Sequence, residues 1–487
     1  MSSITIVGRV YELKKLNKAL HSSKAEFLAV YGRRRVGKTY LIRNFFTDKN
    51  CIFFHTTGIK KASPLIQRSE FARELSAKFL NNAILLKAAP SWLNAFEQLT
   101  AGFELHKGKK IVLFFDEFPW MADKNGLLLQ ALDYYWNRFW VNMPNIKLII
   151  CGSPASWIIK KIINNRGGLH NRLTMRLLIE PFTLSETKDF LKFNKINYDN
   201  KQILDLYMCI GGIPYYLSMV EKGLSAIQNI NQMCFQKNGS LLDEFKNLFS
   251  SLFSNYKMHV QLIHIIAKNR EGVSRQEIEA LINVKGGRLT TWLEELEQTG
   301  FIISFIPWGK TKKGIYFKII DEYTLFYLNW IHPSSNSRIS QQLNSKYWEA
   351  VSTSSAWIAW SGYAFESICF KHLEKIRKAL KISDGASLGS WRHVALKNNN
   401  DMSGAQIDLI FDRNDGIVHL CEIKYSKTLF KITKEYAKNL QNKLEVYKKV
   451  TQTNKQFFIS MITTFGLSPS MYSDELIDSE ATLNDLF

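Results

Sequence analysis

A multidomain α/β protein is the fold this sequence predicts, and three observations carry the prediction. The chain has 487 residues, too many for one hydrophobic core, so about three domains are expected. Near its start an apolar run, a glycine-rich turn and a helical stretch follow one another. Near its end two further apolar runs bracket Asn414-Asp415-Gly416. Apolar residues at 46% and aromatics at 13% suffice for packed domains, which excludes wholesale disorder.

The first element is "EFLAVYGRRRVGKTYLIRNFF", which holds G-x-x-x-x-G-K-T as Gly32, Gly37, Lys38 and Thr39. Phe27–Tyr31 has strand length, and Thr39–Phe46 continues with helical spacing. A glycine loop between strand and helix aims backbone N–H groups at phosphates. Lys38 then reaches the β/γ oxygens, and Thr39 offers its hydroxyl to magnesium. The loop Gly32, Arg33, Arg34, Arg35, Val36, Gly37, Lys38 and Thr39 is therefore the candidate nucleotide site. Its three arginines read as exposed charge that draws anions, without a catalytic role.

Such a loop needs a carboxylate on the metal side, at the end of another buried strand. "KKIVLFFDEF" supplies Ile111–Phe115, then Asp116 and Glu117. Asp116 would hold magnesium through its water shell, and Glu117 would orient and deprotonate the attacking water. A third strand, "IKLIICGS", ends at Ser153, which either senses the γ-phosphate or attacking water or simply closes a turn. Arg172, in "GLHNRLTMRLL", reads equally as an arginine finger, a phosphate sensor or a surface arginine.

In that order, "IVGRVYELKKL", "YGRRRVGKTYLI", "LFFDEF", "CGSPASW", "PFTLSE" and "GGIPYYL" resemble the archaeal-type AAA/STAND P-loop ATPases, whose members often carry a C-terminal domain related to PD-(D/E)xK nucleases. The resemblance spans nearly the whole chain. It implies a P-loop NTPase sheet of ASCE type, Glu117 as catalytic base, and Arg9 and Pro214 near the adenine and ribose. By itself "GGIP" is an ordinary turn of two permissive glycines and a φ-fixed proline.

Residues 182–255 read as short amphipathic helices, a lid over the nucleotide. In 256–330, "QLIHIIA" is one helix and "SRQEIEALI" opens on a Ser274…Glu277 capping box. "RLTTWLEELEQTG" follows with Leu289, Trp292, Leu293 and Leu296 on one face and Gly300 as its stop. Two strands around a basic turn complete a winged helix. Its third helix shows Arg288, Thr290 and Thr291 outward but also Glu294, Glu295 and Glu297, which oppose phosphate; Lys310, Lys312 and Lys313 on the wing suit it better. The serine-bearing stretch "IHPSSNSRISQQLNS" reads as a linker over 331–355.

In residues 356–487 a helix through "WSGYAFESICFKHLEKI" places Glu366 at the edge of its apolar stripe. "GAQIDLIFDRNDGIVHLCEIKYS" then reads as a hairpin closed by a three-residue loop with Gly416 left-handed. Pairing Arg413 with Ile417 sets Asp408 opposite Glu422; a bulge would slip this by one residue. Opposed carboxylates repel unless a lysine or a metal neutralises them. A cation on Asp408 and Glu422, with Lys424 stabilising a scissile phosphate, gives hydrolytic chemistry. This D…E-x-K pattern resembles the PD-(D/E)xK nucleases, with Glu366 matching their helix-borne acid and Ile407 standing where their proline is expected. Gln441 and Tyr447 resemble the extra polar pair that some of those nucleases use. The implied fold is a restriction-endonuclease-like α/β domain.

Lys and Arg number 64 against 43 Asp and Glu, a net +21, which favours a polyanionic partner. Tyr425–Lys449 alone carries seven lysines against two glutamates. The six scattered cysteines read as buried thiols rather than a zinc site. No signal-peptide plan opens the chain, and no apolar stretch reaches the roughly 18 residues that span a bilayer; the expected location is the cytoplasm. The expected function is binding and hydrolysis of ATP with Mg2+ over residues 1–181, coupled to a DNA-directed nuclease-like domain using Mg2+ or Mn2+. The alternatives are a STAND-like regulatory ATPase whose last domain only binds, and a nucleotide-locked scaffold. DNA is the expected partner, a membrane is not, and a homo-oligomer stays open.

Overall fold

A computed structural model describes residues 5–123, 125–153, 155–164, 169, 171–309, 314–333, 347–393 and 404–487. The wing lysines Lys310, Lys312 and Lys313, and residues 334–346 of the expected linker, lie outside them. The chain divides into two compact units. One comprises Met1–Pro181 with Leu252–Ser254 and Glu294–Gly300; the other comprises Phe182–Ser251, Asn255–Leu293 and Phe301–Phe487.

The first unit is built on a parallel sheet of β1 (Glu26–Tyr31), β2 (Cys51–Thr57), β3 (Lys110–Asp116), β4 (Ile146–Gly152) and β5 (Met175–Leu178). Its order is β2-β3-β4-β1-β5, with every pairing parallel. Strands covered on both faces are mostly apolar, which is why Ile111–Phe115 of β3 and Leu148–Cys151 of β4 read as unbroken runs rather than alternating ones. Phe27 packs on Trp136 at 4.9 Å between ring centroids, and Phe96 stacks on Phe115 at 5.9 Å. Insertion of β4 between the P-loop strand and the acid-bearing strand is the ASCE order. It brings Gly32, Asp116 and Ser153 to the same end of three adjacent strands, where ligands of open α/β sheets bind.

The second unit begins with helices Leu184–Phe193, Asn200–Ile210, Pro214–Leu217, Ala226–Cys234 and Glu244–Leu252. Two of them start with reciprocal caps, Thr183 with Glu186 and Ser225 with Gln228. Helices Tyr256–Ala267, Arg275–Ile282 and Gly287–Gln298 accompany a small sheet of β6 (Val273–Ser274), β7 (Ile302–Phe305) and β8 (Tyr316–Ile319), ordered β6-β8-β7. Ser274 and Glu277 form the expected capping box, and Gly300 has φ of 77° just past the third helix.

A five-stranded sheet completes this unit: β9 (Ser387–His393), β10 (Ala405–Asp412), β11 (Ile417–Lys424), β12 (Gln456–Thr463) and β13 (Ser479–Thr482). β9, β10 and β11 are antiparallel, whereas β11, β12 and β13 run parallel. The helix Lys434–Thr451 spans the crossover from β11 to β12.

The sequence assigns 182–255, 256–330 and 356–487 to separate parts, yet all three fall largely in one compact unit. The cause is a shared aromatic core. Trp348, fully buried, stacks on Phe235 at 5.0 Å and meets Phe326, Trp330 and Trp357 edge-on. Residues 347–351 are thus helix anchored by a core tryptophan, not linker. Long-range polar contacts add to this: Leu184 N–H donates to His372 Nε2 at 3.1 Å, and Asn200 Nδ2 to Asn484 Oδ1 at 2.7 Å. Trp308 N–H donates to Ser390 O at 2.8 Å, so the loop after β7 lies against β9. All six cysteines are free thiols, and all but Cys51 are buried. Among the described residues no helix is long and apolar enough to cross a membrane.

Candidate functional site

At the end of β1 the chain turns at Gly32, φ 141°, so close to β5's exit that a Cβ there would sit 2.2 Å from Ile179 O. Gly37, φ 87°, caps the helix Lys38–Thr47, and its positive φ is what a side chain would oppose. Lys38 is buried, and its ammonium donates to Gly32 O at 3.0 Å and Arg33 O at 2.8 Å. Burial pulls its pKa below the ordinary lysine value, against the neighbouring Cys151, Glu117 and Asp116. An ammonium folded onto loop carbonyls is poised to turn to an incoming phosphate.

Thr39 Oγ1 donates to Asp116 Oδ2 at 2.8 Å, and Glu117 N–H donates to Asp116 Oδ1 at 3.0 Å. Burial alone would raise the Asp116 carboxyl, but the His55 ring and Thr39 hydroxyl outweigh it and hold the pKa below the usual value. His55 Nε2 stands 3.9 Å from Asp116 Oδ2 and 3.1 Å from Thr57 Oγ1. Glu117 adopts φ 44°, ψ 43°, an uncommon conformation for a residue with a side chain. Its carboxylate is gripped by Ser153, whose Oγ donates to Oε1 at 2.5 Å and whose N–H donates to Oε2 at 3.2 Å. A Cβ on Gly58 would lie 2.4 Å from Glu117 O, so β2's exit presses on this peptide. The donor set of Thr39 and Asp116, hard oxygens 2.8 Å apart beside Lys38, fits a magnesium ion.

Not every expected residue sits as read. Arg33 is buried rather than exposed, because the loop folds its side chain inward; Arg34 and Arg35 are half-buried. Val36 is buried, and its carbonyl accepts from Arg9 Nη2 at 2.9 Å. Arg9 itself is buried, with Nη1 donating to Glu180 O at 2.7 Å and reaching Glu12 at 3.2 Å. Its guanidinium thus ties the P-loop backbone to the segment after β5. Arg172 is exposed. Pro214 belongs to the second unit, at the first turn of the helix Pro214–Leu217. His55 and Gly58 were not singled out by motif reading. The signal was present: "CIFFHTTG" puts one histidine into an otherwise apolar strand two residues before Thr57.

The second cluster lies on β10 and β11. Pairs run from Asp412↔Val418 to Leu409↔Cys421, and continuing one step faces Asp408 with Glu422. Arg413 N–H donates to Ile417 O at 2.9 Å, and Gly416 has φ 85°, so the three-residue loop sets this register. β10 shifts register against β9 between Ile407 and Ile410, an irregularity that spans Asp408 and Leu409. Asp408 Oδ2 accepts from Ile423 N–H at 3.0 Å, and Lys424 Nζ lies 3.7 Å from it and 3.4 Å from Glu422 Oε2.

Two further residues were missed. Lys443 Nζ donates to Glu422 Oε2 at 2.7 Å, and Tyr436 Oη reaches the same oxygen at 3.4 Å. Glu422 is 2% exposed, and among the described residues its Oε1 has no hydrogen-bond partner. Burial raises its pKa, with the Asp408 charge adding to the shift. Glu366 has its carboxylate held by Lys318 of β8 at 2.8 Å, and its charge also helps raise the pKa of Lys424. The expected Gln441 is exposed, and Tyr447 packs on Trp391 at 5.0 Å in the sheet's core instead. Among the described residues no three His, Cys, Asp or Glu side chains are grouped to hold a metal.

Comparison with known proteins fits the first cluster. Residues 6–220 match the model of a family described as an ATPase domain predominantly from Archaea. An uncharacterized Methanocaldococcus jannaschii protein, MJECL04, is 26% identical over 442 residues, 90% of this chain and 91% of that one. An uncharacterized ATP-binding protein of the same archaeon, MJ0423, is 44% identical over 46 residues, 9% of this chain and 78% of that protein. Among solved structures, the Walker-type ATPase PABY2304 of Pyrococcus abyssi aligns with a TM-score of 0.46 and 20% identity, covering 66% of this chain and 96% of that one.

Proposed function

We propose, from the match of residues 6–220 to the model of an ATPase domain predominantly from Archaea, that the chain hydrolyses Mg2+-ATP and couples that step to a DNA-directed, metal-dependent nuclease-like domain. The observation that carries the ATPase half is the grip of Ser153 on both oxygens of Glu117, next to the Thr39–Asp116 hydrogen bond. Gly32–Thr39 would wrap the phosphates, Lys38 would meet the β/γ oxygens, and Thr39 and Asp116 would hold magnesium, which would neutralise phosphate charge. Glu117 takes the proton of the attacking water, and Ser153 fixes the direction in which that carboxylate faces. Arg172, exposed on its loop, is free to act as a finger only toward a neighbouring molecule or a moved segment.

The nuclease half rests on Oε1 of Glu422, which among the described residues has no hydrogen-bond partner, on the strand pair that also carries Asp408. A buried anionic oxygen with no donor fits a cation, and Asp408 and Glu422 are the residues that would hold it. Such a cation supplies a water of lowered pKa, while Lys424 stands ready for phosphate charge. A second reading, a STAND-like regulatory ATPase whose last domain only binds, is favoured by the lysines already on these acids: Lys443 on Glu422 and Lys318 on Glu366. Plasmid nicking with Mg2+ or Mn2+, with and without ATP, separates them. Metal-dependent nicking that ATP modulates supports the first reading; intact plasmid under every condition leaves the second.

DNA binding is expected to run through the 427–449 segment. Lys443 is turned inward, while Lys427, Lys431, Lys434, Lys438, Lys448 and Lys449 are exposed. If these six contact phosphates, log affinity should fall against log salt with a slope of about −5. Substituting Lys434 and Lys438 together should flatten that slope by about 2. Filter-binding or anisotropy titrations across salt concentrations check this, and a salt-independent affinity removes the segment from DNA contact.

A further inference from the structure

We propose that His55 is a positioning residue for ATP hydrolysis, holding Asp116 in the orientation that receives magnesium. The inference rests on the ATPase reading and adds to it a residue outside the P-loop and the acid strand. β2 and β3 run parallel with His55 beside Phe114 and Thr57 beside Asp116. The His55 ring stacks on Phe114 at 4.8 Å and 18°, and on Phe53 at 6.1 Å and 18°. Those two faces fix the plane of the imidazole and leave its Nε2 edge as the group that meets the site. Nε2 lies between Thr57 Oγ1 at 3.1 Å and Asp116 Oδ2 at 3.9 Å.

Asp116 is otherwise directed from two sides. Glu117 N–H holds Oδ1, and Thr39 Oγ1 holds Oδ2. Both of those groups have other duties once nucleotide arrives, since Thr39 also faces the cation and Glu117 belongs to the catalytic base. His55 comes from a different strand, has no such duty, and closes the β2 side of the carboxylate. A group that orients a ligand from behind is felt in metal affinity: losing one typically costs 10–100-fold. With its faces against Phe53 and Phe114 and its Nε2 beside Thr57 and Asp116, His55 acts on the site through Asp116.

The test uses the full chain and a fluorescent ADP analogue, titrated with MgCl2 and followed by anisotropy, beside melting temperatures for each variant. In His55→Ala the half-saturating magnesium concentration should rise about tenfold or more. His55→Gln, which keeps a polar group at similar reach, should recover most of that loss. Nucleotide affinity in EDTA and the melting temperature should stay near the parent's in both. An unmoved magnesium midpoint in His55→Ala overturns the proposal. A shift that His55→Gln shares in full, together with a lowered melting temperature, overturns it too, since that is loss of the Phe53–His55–Phe114 stack. Lys38→Ala is the control: if it binds nucleotide like the parent, the ATPase reading falls and takes this inference with it, whereas failure of the His55 arm alone leaves that reading standing.

Discussion

Lys38→Ala should abolish nucleotide binding, whereas Glu117→Gln should bind ATP like the parent and hydrolyse it at least ~100-fold more slowly. The two variants differ because their side chains do different jobs in the same few ångströms. Lys38 carries the buried positive charge beside Gly32 O and Arg33 O, and alanine leaves the phosphates no cation from the chain at that place. Glutamine at 117 keeps size and an acceptor oxygen for Ser153, so the left-handed turn and its grip survive. What it loses is the basic oxygen. Equal phosphate-release rates in Glu117→Gln and parent would take the catalytic role from Glu117. Ser153→Ala should fall between the two, with intact binding and a smaller rate loss, because it frees the carboxylate to rotate.

Removal of Lys443 should be the most destabilising single change in the second cluster. Its ammonium is the shortest contact of Glu422, a side chain 3% exposed, and its removal leaves that buried carboxylate only the longer Lys424 contact at 3.4 Å, a loss of up to about 3 kcal/mol. The pH dependence follows from Glu422. Burial and Asp408 already raise its pKa, so protonation stabilises the fold at low pH and that contribution disappears as pH rises through the folded-state value. Lys443→Met raises the pKa further. Its deficit should therefore be full above the raised folded-state value and shrink as pH falls below it, where the carboxyl is neutral. Thermal melts on both sides of that value check it. If Asp408 and Glu422 accept a cation, Mn2+ should recover part of the lost stability in Lys443→Met, and less in the double variant with Asp408→Asn. Melting curves indifferent to divalent metal in every variant would leave the lysine-neutralised, binding-only domain.

Local chemistry makes much of this legible in the sequence. The P-loop, the paired acids ending β3 and the Asn414-Asp415-Gly416 loop are short-range patterns. Each is fixed by backbone requirements of consecutive residues, so each could be read from neighbours alone, and the hairpin register followed from one loop. What escaped was contact between distant segments. Lys443 and Lys318 look like solvent-facing lysines because nothing within several residues marks their partners, Glu422 and Glu366. Within the helix Lys434–Thr451 the expected pair, Gln441 and Tyr447, is not the one that meets the acids. Tyr436 and Lys443, two turns apart, reach Glu422, while Tyr447 lies a turn beyond and meets Trp391. Arg33 was misread for the opposite reason: three successive arginines suggest exposure, but a tight loop cannot point them all outward. The serine-rich linker reading failed at its C-terminal flank because Trp348, one large apolar side chain, outweighs its polar neighbours.

The span of chain closed by the second unit bears on how the protein is made. Leu184 is bonded to His372, and Asn200 to Asn484, while the ring of Phe487 lies 5.2 Å from the Lys188 ammonium. The first unit draws nearly all of its residues from Met1–Pro181, so it can close while synthesis continues. The helices that follow it cannot. They must wait, with their apolar faces uncovered, until about three hundred more residues have left the ribosome at roughly 5–20 residues per second. That leaves a window on the order of tens of seconds in which Leu184 and Asn200 lack His372 and Asn484, while Phe235 waits through about a hundred residues for Phe326 and Trp348, and in which a chaperone or a premature strand pairing would decide the yield of folded protein.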